Sequence, residues 1–122
     1  MSHVVKIKTQ IRDVNALRKA CNRLQLEPPI HRTFDLYNSS ETGWGVRLQD
    51  WKYPVVCKIE TGEIAYDNYG GRWGNSQRLD EFVQRYAVEK TKIESRRQGY
   101  MSSEKVLEDG SIRVTIKVGG GA

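Results

Sequence analysis

The chain is poor in the side chains that carry most covalent and metal chemistry: its 122 residues include two histidines and two cysteines. Cys21 and Cys57 stand far apart with no Cys-x-x-Cys spacing, which argues against a disulfide framework and a thiol-rich zinc site, and both read as small buried hydrophobes. His3 lies near the amino terminus and His31 sits beside Arg32 in a stretch without clear periodicity. Neither has a companion at metal-ligand spacing, and neither offers an evident base for a serine or cysteine nucleophile. The expectation is a protein with no catalytic residue, no cofactor and no metal, His31 being an exposed loop residue. An enzyme pairing His3 or His31 with a carboxylate ranks last among the functions considered.

Other absences narrow the class further. No stretch approaches the roughly 18 consecutive apolar residues of a membrane span, and MSHVVKIKTQ lacks the apolar run and cleavage site of a signal peptide, so a soluble cytoplasmic protein is expected. No block of like charge exceeds two residues. Twenty basic against fifteen acidic residues give a net charge of +5, spread as a moderately basic surface rather than gathered in a tail. With 38% hydrophobic and 29% charged residues, the chain fits one domain over residues 1–118, followed by a glycine-rich end at 119–122 expected to fray.

What is present is strong periodicity. Val5 and Ile7 alternate with Lys6 and Lys8, which predicts a strand with one wet face. Val14, Leu17, Cys21 and Leu24 recur at helical spacing after Asp13, a good cap, and Pro28 and Pro29 require that helix to end by Glu27. Residues 28–43 are the hardest to read: RTFDLY suits a strand and NSSETG suits a turn. WGVRLQD, PVVCKI and IAYDN then read as strands, the last two joined at ETGE. A long helix over about residues 76–97 follows, with Leu79, Phe82, Val83, Tyr86, Ala87 and Ile93 on one stripe, Asn75 or Ser76 as its cap and Gly99 to leave it. SSEKVLEDGSIRVTIKV reads as a hairpin around Asp109-Gly110, with Ile112, Val114, Ile116 and Val118 opposite Arg113, Thr115 and Lys117. These elements predict an α+β fold: a mostly antiparallel sheet with two helices packed on one face, a ferredoxin-like sandwich being the nearest familiar topology.

MSHVVKIKTQIRD at the start, QRYAVEK with RRQGY on and after the long helix, and EDGSIRV in the hairpin resemble the domain-of-unknown-function family numbered 1257. That family includes the plastid conserved reading frame thirty-five and cyanobacterial and phage relatives. The stretch from Glu27 to about Asp50 departs from the family pattern. The resemblance implies a small α+β protein of photosynthetic microbes, plastids or their viruses, located in the stroma or host cytoplasm, and brings no activity or cofactor with it.

Two candidate sites remain. Carboxylate pairs at Asp80-Glu81, Glu60/Glu63 and Glu108-Asp109 each have a structural cause in a helix end or a turn, and GGRWGNS lacks the lysine and spacing of a P-loop. The favoured site is the corner between IAYDN and the long helix. There Trp73 reads first as a plug on the end of the core and second as a ligand platform, and Tyr66, Tyr69 and Arg72 form a recognition patch for an unknown protein partner. Trp44, Trp51 and Tyr53 enlarge the supply of aromatic surface. The alternative is weak binding of single-stranded nucleic acid by Lys6, Lys8, Arg113 and Lys117, which form one basic face if the first and last strands are neighbours. A monomer or a homodimer fits either reading.

Overall fold

Both helices begin where their caps place them. In the computed structural model, which describes residues 4–119, the Asp13 side chain accepts hydrogen bonds from the amides of Asn15 and Ala16 at the head of α1 (Val14–Arg23). Asn75 accepts from Gln77 N at the head of α2 (Ser76–Arg97). Before α1 comes β1 (Val5–Lys8); between the helices lie β2 (Ile30–Asp35), β3 (Ser40–Val46), β4 (Val55–Lys58), β5 (Glu63–Tyr66) and a short 3-10 turn (Tyr69–Gly71); after α2 come β6 (Met101–Val106) and β7 (Ile112–Lys117). No helix among the described residues is long and apolar enough to cross a membrane. His3 and most of the expected glycine tail lie outside the described residues.

The α+β class holds, with five antiparallel strands in the order β1-β5-β4-β3-β2 and β6-β7 as a separate two-stranded sheet. The order is not that of a ferredoxin-like split. Strands β2 to β5 form a meander, and β1, carried across by α1, closes antiparallel on β5 with Val5 opposite Tyr66 and Lys8 opposite Glu63. The NSSETG turn is also displaced. The bend closes where Leu36 N donates to Ser39 O at 2.7 Å. Glu41, Thr42 and Gly43 belong to β3, opposite Phe34, Thr33 and Arg32.

One face of the sheet meets both helices. Val46, Val55, Cys57 and Ile64 point into a core shared with Ala16, Leu17, Ala20 and Cys21 of α1 and Leu79, Phe82 and Tyr86 of α2. The Tyr86 hydroxyl accepts from the amides of Arg12 (3.0 Å) and Asp13 (2.9 Å), which ties α2 to the entry of α1. Burial works against ionised Asp13, yet hydrogen bonds from Lys90, Ala16 and Asn15 hold its carboxyl below the ordinary value. Both cysteines are buried as expected. Burial pushes the Cys21 thiol up to about 11 and raises that of Cys57 further, so neither is a ready nucleophile near neutral pH.

The opposite face is less wet than the alternation suggests. Val56 and Ala65 on it are fully buried, and the Phe34 ring lies flat over Gly45, where any Cβ would collide with it. The Arg32 guanidinium stacks 4.7 Å from the centre of that ring. Glu41, also buried, takes Lys58 at 2.8 Å and Lys6 at 3.9 Å. Small residues in the middle of the sheet thus let long side chains from its edges fold inward and cover it.

The hairpin β6-β7 is attached differently. Glu104 receives Arg23 of α1 at 3.1 Å and Arg85 and Lys92 of α2 at 2.9 Å each. Hydrogen bonds from Lys92 and Arg85 pull its carboxyl down to about 2. Apolar side chains of the same hairpin stay exposed, among them Met101, Val106 and Val118.

Candidate recognition corner

The chain leaves β5 at Tyr66 and must enter α2 at Ser76. Asn68 organises that passage: its carbonyl accepts from Gly71 N (3.0 Å) and Trp73 N (2.9 Å), and its buried side-chain amide donates to Gly74 O (3.1 Å). Tyr69, Gly70 and Gly71 all have positive φ (48°, 60° and 98°), a run that two glycines make accessible and that turns Tyr69 outward on a tight loop. Lys52 N donates to Trp73 O at 2.8 Å, which fastens this loop to the segment between β3 and β4. Asp67 beneath it is 1% exposed; Oδ1 accepts from Tyr69 N at 3.1 Å, and Oδ2 has no partner among the described residues. An unsatisfied buried oxygen of this kind is a local cost that ordinary packing would remove.

The aromatic side chains here fall into two groups. Trp51 and Tyr66 meet edge to face at 5.7 Å and pack on the core. Trp51 lies on Gly74, where a Cβ would enter its indole, and its Nε1 donates to Asn75 O at 3.0 Å. The plug on the end of the core is therefore Trp51, not Trp73. Gly74 is glycine because an indole rests on its backbone. Tyr66 likewise leaves the recognition patch, since its ring turns to the core side.

Trp73 stands at the centre of the second group. Its ring lies 4.7 Å from Tyr69, 5.1 Å from Tyr37 and 5.7 Å from Tyr53. The Lys52 ammonium sits 4.4 Å from the Trp73 ring centre and 5.6 Å from that of Tyr53, and the Arg72 guanidinium lies 5.3 Å from Tyr69. Tyr37 is 54% exposed, Trp73, Tyr53 and Tyr69 are half-buried, and Lys52 and Arg72 are exposed. Four rings and two cations thus make a patch of amphipathic surface. Of the expected corner residues, Tyr69, Arg72 and Trp73 are brought together. Tyr37 and Lys52 join them unannounced, from loops whose approach to this corner no local spacing reveals.

The other candidates are dispersed. Lys6 and Lys8 stand on β1 in the five-stranded sheet and Arg113 and Lys117 on β7 in the separate hairpin, so the first and last strands are not neighbours and the four do not form one sheet face. Lys6 is drawn to Glu41, and Lys8 donates to Thr61 O at 3.5 Å. On β7, Arg113 faces Lys105 and Lys117 faces Met101 across the ladder. His31 is exposed as expected, but on a strand rather than a loop. Its ring meets Trp44 edge-on at 5.3 Å, and Arg18 lies 5.3 Å from the same Trp44 ring.

Compared with protein-family models, curated proteins and solved structures, the chain has no match.

Proposed function

We propose that this chain is a non-enzymatic protein-interaction module that docks through Tyr37, Lys52, Tyr53, Tyr69, Arg72 and Trp73. The single observation that carries this is the grouping of three tyrosine rings around Trp73 outside the core, with two cations stacked on the cluster. Tryptophan, tyrosine and arginine are the residue types that dominate binding energy when a partner excludes water from them. Lys52 and Arg72 favour a partner segment that brings a carboxylate beside an apolar or aromatic side chain. Membership of family 1257 would be compatible with this function and supplies no activity against it. Replacing Tyr69 and Arg72 together by alanine tests it: capture of protein partners from nuclease-treated lysate of the native host should be lost while the circular dichroism spectrum stays the same. Capture that persists would count against the corner.

A second reading is favoured by the same cation-on-ring geometry. Single-stranded nucleic acid stacks its bases on exposed aromatic faces and sets phosphates beside cations, and Trp73 and Tyr69 with Lys52 and Arg72 provide both kinds of group. Affinity for a labelled oligonucleotide that falls steeply with salt, and falls again on Trp73→Ala, would support it; no binding at low salt would remove it.

A further inference from the structure

The apolar stripe of α2 is wider than the core it serves. Leu79, Phe82 and Tyr86 are buried, whereas Val83 is half-buried and Ala87 exposed. This uncovered half faces the end of the sheet occupied by β1, and Val83 and Ala87 there line a groove of about 820 Å³ together with Ile7 and Ile11. Among the described residues, strand β1 is the edge of the sheet, paired with β5 alone. Thr9 N donates to Gly62 O at 2.8 Å, one step beyond Lys8 opposite Glu63. By the alternation of an antiparallel ladder, Val5 and Ile7 then bond toward β5, and Lys6 and Lys8 send their backbone N–H and C=O groups outward from the sheet. A free strand edge and an apolar trough therefore lie side by side.

We infer that this edge accepts an extended segment of another protein as a sixth strand, one whose residues alternate between acidic and apolar. The alternation follows from the pleat. Residues set opposite Lys6 and Lys8 share the face of those ammonium groups, where carboxylates are favoured. Residues between them fall on the helix side, over Ile7, Val83 and Ala87, where apolar side chains cover the exposed part of the α2 stripe. A second copy of this chain is the poorer occupant. Pairing β1 with its own copy so that the helices share one face sets lysines against lysines, a known device against edge-to-edge association. This surface is separate from the aromatic corner, so the two can fail independently.

The test uses a fluorescein-labelled ten-residue peptide of alternating Glu and Val, a peptide of the same composition with the five glutamates grouped together, and one with Lys in place of Glu. The alternating acidic peptide should bind, and its binding should slow exchange of the Lys6 and Lys8 amides. The grouped and basic peptides should bind at least about tenfold more weakly, and Lys6→Glu with Lys8→Glu should weaken the acidic peptide by about tenfold, the loss of two surface charge pairs and their reversal. Ala87→Lys, on an exposed position, should also block binding, while Trp73→Ala should leave it unchanged. Equal binding of the grouped peptide, unprotected Lys6 and Lys8 amides, or indifference to charge reversal would overturn the proposal. A concentration-dependent dimer in sedimentation, with those amides protected in it, would overturn it in favour of a second copy.

Discussion

Two tryptophans twenty-two positions apart in the chain lie on either side of one loop and do opposite work. Trp51 rests on Gly74, donates its N–H to Asn75 O and closes the end of the core. Trp73, on the same loop as Gly74, is turned away into a ring of tyrosines and under a lysine. The difference lies in what each indole touches, not in the residue type. An indole on backbone and aliphatic carbon contributes stability, whereas one on tyrosines and a cation keeps a face that a partner can still cover. The contrast predicts that substitutions on the two sides of the loop separate folding from binding.

The largest effect should come from within the core. Phe82→Ala removes a fully buried ring from under the sheet and should cost about 3–5 kcal/mol in urea unfolding. Next comes Gly74→Val, which drives a side chain into the Trp51 indole; a loss of about 2–3 kcal/mol is expected, with Trp51 fluorescence shifted as the ring is displaced. If Gly74→Val is silent, Trp51 is not the plug.

The hairpin sharpens the comparison because a cluster of charges around Glu104 ties it to both helices. The Glu104 carboxyl is lowered from 4.5 to about 2 in the folded protein by Lys92 and Arg85. A depressed folded value means that the contact contributes fully above about 4.5 and is lost as pH falls toward 2. Acid titration followed by the amide signals of β6 and β7 should show these strands loosening from α2 in that window, and Glu104→Gln should give the loosened state at neutral pH at a cost of about 1–2 kcal/mol. The smallest effect on stability belongs to the corner: Trp73→Ala should cost less than about 1.5 kcal/mol, since the ring is only half-buried, while abolishing partner capture.

Sequence legibility follows the same division. α2 was readable to its ends because its cap, stripe and terminal basic residues are local signals, and α1 likewise from Asp13. Local pattern starts strand β3 too late, since Ser40 to Gly43 look like turn residues; they belong to a strand because they pair with Asp35 to Arg32 of β2, and Glu41 among them is held by Lys6 and Lys58. The strand order was beyond local signals, for nothing in β1 says that it will pair with β5 rather than β7. Tyr69, Arg72 and Trp73 are visible as a group because they fall in one short glycine-rich stretch. The exchange of roles between Trp51 and Trp73 was not, because either indole satisfies a glycine-rich corner on paper. Tyr37 and Lys52 arrive by tertiary approach and carry no motif.

The most direct test is hydroxyl-radical footprinting of the chain, free and in complex with a partner captured from its native host. Oxidation should fall at Tyr37, Tyr53, Tyr69 and Trp73 on complex formation and stay the same at Trp44 and Trp51. Unchanged oxidation at Trp73, with protection elsewhere on the surface, would contradict the assignment of the corner.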